Sequence, residues 1–168
     1  NDNIILKNNT FVTDINKNSL KYTQDNSQHN INFNKCICCI PSKETQNISI
    51  FKDINFNEKI IGVPLLRIYA KYPLNRGKVW FHNLPKIITD NYIRFIIPID
   101  VKNGIIMISY TDSMYSEMWN NLSKNGNKYL YSELHKQIKE ILDIEPPKPL
   151  FIKTYFWKEG FHNWLPGN

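Results

Sequence analysis

The densest set of chemically capable side chains is Tyr155-Phe156-Trp157-Lys158-Glu159-Gly160-Phe161-His162-Asn163-Trp164-Leu165-Pro166-Gly167. Aromatics strung along a Gly- and Pro-bearing segment cannot all enter one core. Such clusters line ligand pockets or interfaces, where ring faces meet planar ligands and cations. A loop folded back on its own domain is the plainer alternative. Cys36-Ile37-Cys38-Cys39 comes next. A zinc site needs four ligands, with a turn between paired cysteines and a second pair elsewhere. Here one residue separates the first two thiols, strand neighbours point to opposite faces, and no second pair exists. The three are therefore expected in the core as small hydrophobes, with no metal. His29, His82, His135 and His162 lie far apart, without HxH or HxxxH spacing. No GxSxG, GxGxxG or Walker loop occurs, so nothing in the chain announces an activated serine or a phosphate cradle. Asn8, Asn47 and Asn121 begin glycosylation patterns of the kind an Asn-rich chain produces by chance.

The elements that must position these groups follow from periodicity. Residues 11–15 and 20–23 read as strands of a β-hairpin around Asn16-Lys17-Asn18-Ser19, and residues 24–30 as a loop. The apolar run 33–40, stopped by Pro41, predicts a strand buried on both faces, as in parallel sheets. Residues 43–62 form a connector with weak helical signals. Strands are expected at 64–73, 92–99 and 104–110, the last two joined by a turn at 100–104. Asp112 or Ser113 can cap a helix whose apolar face is Met114, Met118, Trp119 and Leu122. After Asn125-Gly126-Asn127 a longer helix buries Leu130, Leu134, Ile138, Ile141 and Leu142, with Lys136 and Glu140 paired on its wet side. Glu145-Pro146-Pro147-Lys148-Pro149 ends it, residues 150–157 form a last strand, and 158–168 an aromatic loop. The expected class is α+β: a mixed, mostly antiparallel sheet flanked by two helices, preceded by a β-rich segment, with a boundary near residue 62.

Composition narrows the functional classes. The 168 residues carry a net charge of +6, 42% hydrophobic and 13% aromatic residues, which suits a globular domain with a core. No apolar run approaches the roughly 18 residues of a membrane span, and no secretory signal is visible, so an intracellular protein without a membrane partner is expected. The cations are scattered with no block of five or six, and read as a solvated surface before a nucleic-acid face. The start at Asn1 and the end on Pro166-Gly167-Asn168 read as a piece of a longer chain.

Five stretches, in order, resemble the flavin-containing amine oxidoreductases, the monoamine-oxidase and polyamine-oxidase superfamily, in the wording of versions encoded by large DNA viruses. TFVTDINKNSLKYT (10–23) resembles the strand pair after which the FAD domain resumes. FNKCICCIPSK (33–43) is similar to a strand of that domain, GVPLLRIYAKYP (62–73) to the strand entering the substrate domain, and VWF (79–81) to a short motif beyond it. FWKEGFHNWLPG (156–167) resembles the stretch before the final FAD-binding segment.

The resemblance implies that residues 1–62 are the last part of the FAD domain's insertion, 63–157 a substrate-binding domain, and 158–168 a return loop. It implies FAD as cofactor, held mainly by parts outside these residues. It also implies a small-molecule amine substrate, oxidised to an imine by hydride transfer to flavin N5, and a fragment inactive by itself. Carried over position by position, Val12, Pro41 and Trp157 correspond to cofactor contacts. Arg67 corresponds to a catalytic position where many members place a lysine holding a water near N5, and His162 or Trp164 to an aromatic flanking the substrate amine. Arginine keeps its charge and a rigid planar fork, so it does not simply replace an ammonium. A dehydrogenase or a non-catalytic relative kept for interaction therefore stands beside the oxidase. A basic, aromatic-rich nucleic-acid-binding module is the alternative from another class. The sequence sets no oligomeric state.

Overall fold

In the computed structural model, which describes residues 4–54 and 56–167, strand β4 (Ile60–Lys71) buries Leu66, Ile68 and Ala70 completely and leaves Arg67, Tyr69 and Lys71 half-buried on its other face. Asn1 and Asn168, on which the reading of an interrupted chain rests, lie outside the described residues. The period-2 alternation of β4 is the pattern of a strand with one face against a core. Strands β5 (Ile87–Ile88), β6 (Phe95–Asp100), β7 (Ile105–Asp112) and β8 (Phe151–Trp164) complete a five-stranded sheet in the order β5-β6-β7-β4-β8. The β5/β6, β6/β7 and β4/β7 pairs are antiparallel.

Helices α3 (Ser113–Lys124) and α4 (Asn127–Leu142) cover the apolar face. Trp119, Leu130, Leu134 and Ile138 meet Leu66, Ile68, Ile96, Ile106 and Ile108 in one core, which also takes in Val79 and Phe81. The Trp119 indole donates to the Tyr92 carbonyl at 2.8 Å, so the largest buried ring keeps its polar atom satisfied. Gly104 adopts φ +73 where the β6–β7 connection crosses Tyr72, and a Cβ there would overlap the Tyr72 carbonyl.

A separate three-stranded antiparallel sheet is formed by β1 (Thr10–Ile15), β2 (Ser19–Gln24) and β3 (Ser27–Asn32). Short helices α1 (Ser42–Thr45) and α2 (Phe56–Lys59) follow. The chain is thus α+β, with antiparallel sheets of three and five strands. It divides into two compact units, residues 1–62 with 162–168, and residues 63–161.

Several expectations are corrected. Residues 24–30 are not a loop: β3 pairs with β2 through a tight turn at Asp25 and Asn26, both at positive φ. Asp and Asn tolerate that conformation, and β3 is exposed throughout, so no apolar alternation marks it. Residues 33–41 form no strand. Cys36, Cys38 and Cys39 are exposed free thiols and Ile37 is 88% exposed, because a strand buried on both faces needs hydrogen-bonded neighbours, and none of the described residues pairs with this segment. Asp112 occupies the N-cap of α3 without a side-chain cap bond, since it is still extended and in register with Leu65 at the end of β7. The buried arc of α3 is Ser116 and Trp119, flanked by Met118 and Leu122, which leaves Met114 71% exposed. β8 runs on to Trp164, so most of the supposed return loop is strand.

Candidate ligand-binding face

The face of the five-stranded sheet opposite α3 and α4 carries the groups the sequence singled out in unit 63–161. Arg67 lies directly across from Tyr110 in the β4/β7 register. Its guanidinium carbon sits 4.8 Å from the Tyr110 ring centroid and 5.8 Å from that of Trp157, so Arg67 and Trp157 share one face. Odd positions of β8 bring Tyr155 and Trp157 to this side while Ile152 and Phe156 pack on the core. Tyr155 stacks on Trp157 (6.1 Å, 16°) and meets Tyr69 edge-on (5.8 Å, 82°). At the other end Phe95 lies 5.6 Å from Tyr110.

The result is a strip of rings around one guanidinium, with Lys86 5.3 Å from the Phe95 centroid and Lys153 5.0 Å from that of Tyr155. Cation–π contacts of this kind are worth about 0.5–1 kcal/mol each where exposed. Burial disfavours the charge on Arg67, but the phenol groups of Tyr110 and Tyr69 outweigh it and hold the guanidinium above the usual arginine value. The Arg67 Nε is buried without a hydrogen-bond partner, and no described carboxylate forms an ion pair with Arg67. A buried donor left unpaired costs about 1–3 kcal/mol.

Unit 1–62/162–168 holds the other candidates. Val12 and Pro41 line one cleft of about 470 Å³ together with Phe11, Ile37, Ile40 and Ile48. Pro41 also opens α1, its carbonyl accepting from the Glu44 amide at 3.0 Å. His162 lines a separate cleft of about 310 Å³ with Cys38, Ile40 and Thr45, whereas Trp164, 66% exposed at the end of β8, lines neither. Asp14 Oδ1 accepts from both the Ser49 amide (3.0 Å) and hydroxyl (2.6 Å), tying β1 to the turn after α1.

The Ser49 hydroxyl and amide hold the Asp14 carboxyl below its ordinary value of 3.8. A depressed carboxyl stabilises the fold at pH values above 3.8, and that contribution is lost as pH falls from there through the lower folded value. Ser49→Ala is expected to move the Asp14 titration upward, read by NMR of its side-chain carboxyl. An unmoved titration would show that the hydroxyl does not set it.

Sequence reasoning picked Arg67 and Trp157 but missed Lys86, Phe95, Tyr69, Tyr110, Lys153 and Tyr155 as partners. A signal existed for three of them, since Tyr69 shares a strand face with Arg67 by parity, as Lys153 and Tyr155 do with Trp157. Lys86, Phe95 and Tyr110 come from other strands and connections, and nothing local marks them. No group of three or more His, Cys, Asp or Glu able to hold a metal is found among the described residues. Nor is any helix among them long and apolar enough to cross a membrane. No family model matches the chain, and no curated protein matches it.

Proposed function

We propose that this chain is the substrate-domain portion of an FAD-dependent amine oxidoreductase, in which the ring strip around Arg67 is a wall of the pocket over the flavin. The observation that carries the reading is the 5.8 Å approach of Arg67 to the Trp157 ring on one sheet face, where the family resemblance needs both. The residues of unit 63–161 fit a planar cofactor in one respect: Tyr155 and Trp157 keep exposed ring faces beside the Arg67 guanidinium.

When bound, FAD supplies a hydride acceptor: the C–H bond beside the amine nitrogen breaks, a C=N bond forms, and water then releases carbonyl product and ammonia or a smaller amine. The protein's own residues bind and orient. Trp157 and Tyr155 offer flat apolar surface that excludes water from the reacting carbon, and Arg67 fixes an acceptor edge through its planar fork. No Gly-rich phosphate loop is present, so most of the dinucleotide would be bound by residues beyond these 168, and the chain alone is expected to be colourless and inactive.

The test is the absorbance spectrum of the complete parent protein. A yellow protein bleached by an amine without oxygen is expected. A colourless parent would sink the proposal, and a yellow one that no amine bleaches would leave a flavin fold kept for interaction. A second reading is favoured by the gathering of Lys86, Arg67 and Lys153 beside exposed rings, the arrangement on which single-stranded nucleic acid stacks. It predicts affinity of the chain for an oligothymidylate that falls steeply with salt, and a salt-insensitive plot would remove it.

A further inference from the structure

We infer that the cleft between α4 and the start of β8 binds an amphipathic anion, a hydrocarbon chain ending in a carboxylate or phosphate, with the head held by Lys128 and Lys148 and the chain laid along Tyr131 and Leu150. None of the ring-strip residues borders this cleft, and the inference does not rest on the flavin reading.

The cleft is built from two walls. On α4, Lys128, Tyr131, Ser132 and His135 recur at i, i+3, i+4 and i+7, which places them on one stripe beside the buried Leu130, Leu134 and Ile138. The other wall is the connection from α4 to β8, where Pro146, Pro147 and Pro149 fix the backbone. Both ends of that connection are pinned. Glu145 Oε1 meets His135 Nε2 at 2.5 Å and its Oε2 pairs with the Lys139 ammonium at 2.7 Å. The Leu150 amide donates to the Lys71 carbonyl at 2.7 Å. The walls are thus set by the chain's own bonds around a space of about 800 Å³, so a ligand entering it meets a pre-organised site.

The charge of the cleft has one sign. Lys128 and Lys148 both border it, and neither forms an ion pair with a described carboxylate. No Asp or Glu lines it. Glu145, the nearest acid along the chain, is committed to Lys139 and His135, which hold its carboxyl below the ordinary 4.5. Glu133 accepts from Gln137 and Glu140 pairs with Lys136, on other faces of α4. An anion therefore meets two uncompensated ammonium groups, and a cation is repelled by them. Leu150 is 63% exposed, and a hydrocarbon chain laid over it removes apolar surface from water.

Isothermal titration of the 168-residue chain tests the inference with probes matched in their chain: octanoate, octyl phosphate, 1-octanol and octylamine. The two anions are expected to bind about ten-fold tighter than the alcohol and the amine. Lys128→Gln and Lys148→Gln should each weaken octanoate roughly two- to five-fold, and the double variant about ten-fold, with 1-octanol unchanged. Leu150→Asn should weaken octanoate and 1-octanol alike. All three side chains are exposed, and circular dichroism of each variant checks that the fold is retained. Octylamine or 1-octanol binding as tightly as the anions, no binding of any probe, or unchanged octanoate affinity in the double variant would each overturn the inference. Inorganic phosphate binding as tightly as octyl phosphate would overturn it in favour of a free-phosphate site. Affinity for phosphatidylglycerol vesicles with none for octanoate would overturn it in favour of a membrane surface.

Discussion

Replacing Trp119 by alanine is expected to destabilise unit 63–161 by about 3–5 kcal/mol, a large part of the 5–15 kcal/mol that holds a domain of this kind folded. Trp119 is fully buried at the centre of the contact between α3 and the sheet, packed in the same core as Leu66, Ile68, Ile96 and Ile106. Its removal leaves a cavity the size of an indole and strips the Tyr92 carbonyl of its donor at 2.8 Å. Trp119→Phe separates the two effects. The ring is largely kept while the carbonyl loses its partner, so a loss of about 1–3 kcal/mol is expected. Denaturant unfolding followed by far-ultraviolet circular dichroism measures both, and a shift under about 1 kcal/mol for the alanine variant would contradict the packing described. The consequence reaches the ring-lined face, because β4 and β7 carry Arg67 and Tyr110 on the side opposite this core.

Gly160→Ala is expected to give the second largest effect, with the geometry of β8 as its target. A Cβ on Gly160 would overlap the Leu65 Cβ, with Cγ and Cδ2 also at 3.1 Å. Because the nearest collision is with the Cβ itself, no rotamer of Leu65 relieves it, and β8 must move away from β4. Overpacking of this kind costs about 1–3 kcal/mol. Trp157, three residues earlier on the same strand, would be drawn off Arg67 as thermal stability falls. The rescue pattern is specific. Leu65→Ala keeps the Cβ and should restore little of the loss. Leu65→Gly removes it, and the double variant should recover much of the contact between the strands, read as a coupling energy in a double-mutant cycle. Equal rescue by alanine and glycine would show that the leucine's outer atoms, and not the backbone approach, set the constraint. In the sequence Gly160 is one residue among aromatics. Its necessity belongs to a cross-strand distance.

How much was legible varies by element, for physical reasons. The hairpin of β1 and β2, the β6–β7 turn and the buried stripe of α4 rest on short-range patterns. Turn residues at Asn16-Lys17-Asn18-Ser19, the glycine at 104 and the spacing of Leu130, Leu134 and Ile138 bind neighbours in the chain, and a sequence displays neighbours. β3 was invisible because its six residues are exposed and polar, so burial left no mark on them. The Cys36 segment misled in the opposite direction. An apolar run states that burial would be favourable, not that a partner exists, and within the described residues none is supplied. The candidate site shows the same split. Arg67 and Trp157 were singled out by resemblance, whereas Lys86, Phe95 and Tyr110 reached the strip only through strand order.

By itself the sequence determined which side of each strand and helix is apolar, since that is a matter of period 2 or 3.6 along a local stretch, and with it the α+β class. Only the tertiary structure decided that cations at positions 67, 86 and 153, far apart along the chain, would stand beside rings from positions 69, 95, 110, 155 and 157. Strand order and register are selected by how whole faces pack over long sequence separations, and no local propensity encodes them.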